Sequence, residues 1–154
     1  MKKIKSNIKT KKHLKKAHIL KKPNTGFVAV GKSKYKVGTS ASEKIWLDKL
    51  LIKDRQKVIY GFNGKVIVVD GVNVNTRTVY EYLGEHCHSI LAYPREKWDI
   101  KTWLGKTPRE MYRNTINRFL FLQSLGWKVF FVWHRDFKKG KLGRYFLGKS
   151  DTLY

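Results

Sequence analysis

The stretch VIVVDGVNVNTRTVYEYLGEHCH, residues 66–88, constrains this chain more than any other. Val66, Ile67, Val68 and Val69 form a β-branched run that delivers Asp70 at its end, and residues 78–83 form a second strand-like run that carries Glu81 among apolar and aromatic neighbours. Neighbouring strands would project Asp70 and Glu81 toward one point. Converging carboxylates suit an oxygen-liganding Mg²⁺, which takes only a few ligands from its protein. Val79 and Leu83 share the face of Glu81, whereas Tyr80 and Tyr82 take the other, so this carboxylate lies on an apolar face and needs a cation there. His88, a few residues on, is a candidate base or water-orienting group.

The elements around this stretch read as α/β. Ser40-Ala41-Ser42-Glu43 has the form of a capping box, and Trp46, Leu47, Leu50 and Leu51 give the helix it opens an apolar face through about Ile52. From these residues Glu43 reads as a cap on the Ser40 N–H. Residues 57–62 and 65–70 flank Asn63-Gly64, which favours a two-residue type I′ hairpin turn whose second strand ends at Asp70. Residues 71–77 are polar enough for a loop, and Asp-Gly often closes a strand. The connection over residues 84–106 is long and holds His86, His88, Tyr93, Trp98 and Trp103, rings that either pack under the loop or meet unstacked bases. Thr107-Pro108-Arg109-Glu110 opens a second helix that Gly126 terminates. Met111, Thr115, Ile116, Phe119 and Leu122 form its buried stripe, while Asn114, Asn117 and Arg118 lie on a polar flank. Residues 127–133 are apolar on both faces apart from Lys128, the mark of an interior, parallel strand.

An Asp closing one strand and a Glu inside the next, with the words VDG, VYEYLGEHCH and LGWKVFFVW, resemble the PD-(D/E)XK nuclease core. The same words resemble one subgroup, the very-short-patch-repair type and the EDxHD homing endonucleases, in which a His after the second strand stands in for the family's lysine. Leu83 occupies the lysine position here, and His88 sits where that subgroup keeps its histidine. The resemblance covers about residues 40–133. It implies a restriction-endonuclease-like core with a mixed central β-sheet flanked by helices. It also implies a functional Glu at the start of the first helix, the position of Glu43, and a second helix bordering the active site. Its repair members carry a structural zinc held by cysteines, and the single Cys87 aligns this chain with the phage-type relatives instead.

Charge points the same way. The chain has a formal charge of +23 over 154 residues, so a polyanionic partner is expected, most simply duplex DNA. Residues 1–22 hold ten lysines and no acidic residue, too little apolar surface to fold alone, and Lys11, Lys12, Lys15 and Lys16 are candidate phosphate contacts. Lys34 and Lys36 flank Tyr35 in a segment that reads either as a short strand or as a strap along the duplex. The expected organisation is a basic, largely flexible arm at 1–38, a nuclease core at 39–134 and a basic tail at 135–154. No apolar run reaches the ~20 residues of a membrane span. The N-terminus has no signal-peptide pattern, so an intracellular location is expected, the host cytoplasm if the chain is phage-encoded.

The expectation is a Mg²⁺-dependent endodeoxyribonuclease, with Mn²⁺ able to substitute, acting as a monomeric nickase of homing, mobile-element or phage type. Asp70, Glu81, His88 and Glu43 would form the site, with Asp70 and Glu81 on the metal and Asn114, Asn117 and Arg118 touching DNA. The alternative is a non-catalytic basic module bound to nucleic acid, RNA or a ribosome, in which Asp70 and Glu81 are only structural.

Overall fold

The computed structural model describes residues 18–21, 27–32, 38–61, 64–149 and 153. Lys11, Lys12, Lys15, Lys16, Lys34, Lys36 and Asn63 lie outside these. The described residues form one mixed sheet whose seven strands lie in sequence order: β1 (His18–Lys21), β2 (Phe27–Lys32), β3 (Asp54–Tyr60), β4 (Val66–Asn73), β5 (Thr78–Leu83), β6 (Lys128–Trp133) and β7 (Arg144–Tyr145). All neighbours are antiparallel except β5 and β6, which run parallel. Among the described residues four α-helices accompany them: α1 (Ala41–Lys49), α2 (Glu85–His88), α3 (Pro108–Ser124) and α4 (His134–Lys138). None is long and apolar enough to cross a membrane. The chain is therefore an α/β protein with a mixed sheet, and β1 and β2 extend that sheet with residues assigned by sequence to the basic arm.

The alternation along β5 divides the core. Val79 and Leu83 face α3 and pack with Phe119, Leu122, Ile67, Val69 and Val129. Tyr80 and Tyr82 face the other way and meet Trp46, Leu47, Ile52 and Val132. Trp46 is fully buried and its ring stacks on Phe130 at 6.3 Å between centroids. Phe119 is equally buried, and truncating it to Ala would cost roughly 3–5 kcal/mol from lost contacts and the cavity left behind.

The second long helix begins as its sequence dictates. Thr107 Oγ1 accepts the Glu110 N–H and Glu110 returns the bond to the Thr107 N–H, with Pro108 in the first turn. Gly126, at φ +83°, turns the chain out of α3 into β6.

Three local expectations change. β4 does not stop at Asp70 but runs to Asn73, and the turn follows it. Gly71 is needed in mid-strand because a Cβ there would meet Leu47 Cδ2 and Ile52 Cγ2 at 2.9 Å, so its role is to admit α1 rather than to make a turn. The β3–β4 hairpin closes on Gly61, whose N–H donates to Lys65 O at 2.8 Å, leaving three residues between them instead of two. Leu51 leaves the α1 face at φ +57° and is 83% exposed.

Candidate active site at a split in the sheet

The β4–β5 ladder pairs Asn73 with Thr78, Val72 with Val79 and Gly71 with Tyr80, and ends there. Beyond it β4 continues against β3, while β5 continues against β6 as far as Leu83 and Trp133. The strands part at Asp70 and Glu81. Main-chain groups left at the parting still need partners, and two side chains supply them. Asp70 Oδ2 accepts the Tyr82 N–H at 2.7 Å. The Arg118 guanidinium, from α3, donates to the Val68 carbonyl and also to Glu81 Oε1, the latter at 2.7 Å.

Glu43 reaches the same place from α1. Ser40 caps that helix, its Oγ accepting the Glu43 N–H at 3.0 Å, yet the Glu43 carboxylate is directed to the sheet, where its Oε1 accepts from Gln56 Nε2 at 2.9 Å. Gln56 stands opposite Asp70 in the β3–β4 register, between the pairs Arg55 with Gly71 and Lys57 with Val69. Its backbone has φ +47°, a conformation costly for a side chain of this kind. Its Oε1 is buried without a hydrogen-bond partner.

Three carboxylates therefore share one poorly solvated site. Burial pushes Glu43 up to about 7, with the charge of Asp70 adding to the rise and the Ser40 N–H and Gln56 amide opposing it. Burial also raises Asp70, against the Tyr82 N–H, Arg118 and Gln56. Glu81, 4% exposed, is lifted to about 8 by burial, which outweighs the attraction of Arg118; Asp70 and Glu43 contribute further. A cation at this point would relieve all three. Among the described residues no group of three or more His, Cys, Asp or Glu side chains is arranged to hold a metal ion by itself.

His88 occupies the neighbouring position, at the end of α2. With Arg118, Thr115, Asn114, Met111, Leu104, Lys106 and Cys87 it lines a cavity of about 270 Å³. Its Nδ1 lies 3.0 Å from Thr115 Oγ1, and burial, then the charge of Arg118, lowers it to about 4. It is neutral at physiological pH.

The structure thus brings Asp70, Glu81 and Glu43 together, with Arg118 joining them to the cavity of His88. Arg118 is turned inward, Asn114 lines the cavity and Asn117 is exposed. Tyr93 and Trp98 pack within their loop, through bonds from Tyr93 Oη to His86 O and from Trp98 Nε1 to Tyr93 O. Trp103 is 80% exposed. Two residues of the site escaped the sequence reading. Gln56 lay outside the strand as drawn, although extending the hairpin register places it across from Asp70. Thr115 read as part of the buried stripe, and its hydroxyl on that stripe was the signal.

Fold and site together define an α/β protein with a carboxylate-lined split between β4 and β5. Compared with known proteins, the chain matches no family model, no curated protein and no solved structure.

Proposed function

We propose that this chain is a Mg²⁺-dependent endodeoxyribonuclease with a restriction-endonuclease-like core, of the PD-(D/E)XK type it resembles, nicking duplex DNA as a monomer. The observation that carries the reading is the parting of β4 and β5. It gathers Glu43, Asp70 and Glu81 next to a cavity holding Arg118 and a neutral His88, on a chain with a charge of +23.

The donor set fits a hard divalent cation. Its atoms are oxygens, the carboxylates are held in a setting that favours their neutral forms, and Gln56 Oε1 is a buried acceptor with nothing to accept. Asp70 and Glu43 are the residues best able to hold the ion. Glu81, whose Oε1 is on Arg118, contributes charge and its other oxygen. Mg²⁺ ordinarily takes one or two carboxylates, keeping its other positions for water and phosphate, so Asp70 with one further carboxylate suffices. Mn²⁺ would substitute. When bound, the ion polarises the phosphate and acidifies the attacking water, which is what a base as weak as His88 requires.

The residues of the chain do the rest. His88 takes a proton from water as the water oxygen attacks phosphorus, and the P–O3′ bond breaks with its electrons going to the leaving oxygen. Arg118 adds positive charge on the cavity wall, where a phosphate would gain negative charge. Surface lysines supply affinity without sequence choice. The test is a labelled duplex incubated with Mg²⁺ or Mn²⁺, with and without a chelator. A nuclease cuts only with the ion, whereas a binding module retains the duplex and gains nothing from it.

A further inference from the structure

The orientation of His88 depends on a residue outside the acidic cluster. We propose that Thr115 is a positioning residue that holds His88 as the Nδ1–H tautomer, leaving Nε2 as the free acceptor. This rests on the nuclease reading of the cavity and adds to it the means by which the base is kept in a usable form.

The argument is a count of protons. A neutral imidazole has one N–H and one lone pair, and the partner of one nitrogen decides the state of the other. A threonine hydroxyl has a single proton to give. Thr115 Oγ1 gives it to Met111 O, one turn back along α3, at 3.1 Å. Toward His88 Nδ1, 3.0 Å away, the same oxygen can then only accept, so the proton between them belongs to the imidazole. Nε2 is left bare on a ring that lines the cavity with Arg118 and Lys106.

Thr115 suits this task. It is 3% exposed, and its β-branched side chain has few rotamers in a helix. The helix itself is fixed at its start by the Thr107 and Glu110 capping box, one turn before Met111. A hydroxyl also differs from the carboxylate that commonly orients a catalytic histidine. It fixes the tautomer without adding a negative charge that would hold the ring protonated, consistent with the neutral state of His88.

The experiment is long-range ¹H–¹⁵N correlation NMR on the full chain, with His88→Gln identifying the signal of His88 among the five histidines. The wild type and Thr115→Ser should both give the Nδ1–H pattern. Thr115→Val, nearly the same shape but without an acceptor, should lose it, and its turnover at saturating duplex should fall on the order of 10- to 100-fold while Thr115→Ser restores the rate. An Nε2–H pattern in the wild type, or an unchanged Nδ1–H pattern in Thr115→Val, overturns the proposal. Absence of cleavage by the wild type with Mg²⁺ or Mn²⁺ overturns the nuclease reading instead, a failure that the NMR pattern keeps separate from one in Thr115.

Discussion

Asp70 Oδ2 accepts the backbone N–H of Tyr82 at 2.7 Å, so a side chain of β4 takes the place of a main-chain rung just where β4 and β5 separate. The residue that terminates the ladder is also the central carboxylate of the site. Asp70→Asn keeps an amide oxygen able to accept the Tyr82 N–H and removes the charge. It should fold with little change, abolish cleavage, and bind DNA as tightly as the wild type or more so. Gel-shift and cleavage assays on one preparation check this, and wild-type turnover in the variant would move the metal elsewhere.

His88 and His86 form a matched pair of controls. His88 lines the cavity, whereas His86 is exposed and packs edge-on against Tyr93. His88→Ala should lower turnover roughly 10²–10⁴-fold, the range of one acid or base group. His86→Ala should leave it nearly unchanged. A crippled His86→Ala beside an active His88→Ala would reassign the base.

The carboxylates predict how stability depends on pH without divalent ions. A group whose pKa is raised by folding holds its proton more tightly in the folded chain, so its stabilisation is present at low pH and is lost as pH rises. For Glu43 the window runs from 4.5 to about 7, and a shift of that size is on the order of 3 kcal/mol. For Glu81 it extends to about 8. His88, lowered from 6.5 to about 4, acts oppositely and only below 6.5. In chelator, the melting temperature should therefore fall between pH 6.5 and 8.5. Mg²⁺ or Mn²⁺ should restore it, and Glu43→Gln should flatten the dependence. A melting temperature that rises over that interval would contradict the burial of these groups.

Residues 1–17 precede β1, which spans His18–Lys21, and removing them takes eight lysines away. If four of these meet phosphates, the slope of log affinity against log salt should flatten by roughly 3 to 4. Turnover at saturating DNA should stay the same. Filter binding at several salt concentrations measures the first quantity, and an unchanged slope would take these lysines off the DNA.

Much of this arrangement was legible in the sequence, because local chemistry determined it. Thr107, Pro108 and Glu110 specified a helix start, Gly126 its end, and the alternation around Glu81 put Val79 and Leu83 on its face of β5 and Tyr80 and Tyr82 on the other. What was not legible depended on distant packing. Asp70-Gly71 has the look of a turn, yet Gly71 is small to make room for Leu47 from α1 and for Ile52 just beyond it. The partner of Glu81 lies 37 residues away on α3, and nothing in the local pattern indicates that Arg118 would turn inward. The positive φ of Gln56 carries no sequence signal at all, since glutamine has no preference for it.

Incubation of supercoiled plasmid with the wild type and Asp70→Asn, in Mg²⁺ and in chelator, tests the central claim most directly. Open circles formed by the wild type with Mg²⁺, and by neither protein in chelator nor by Asp70→Asn at all, are the predicted result. A plasmid that stays supercoiled under every condition, although both proteins bind it, would contradict the account and leave a basic DNA-binding protein whose Asp70 serves the sheet alone.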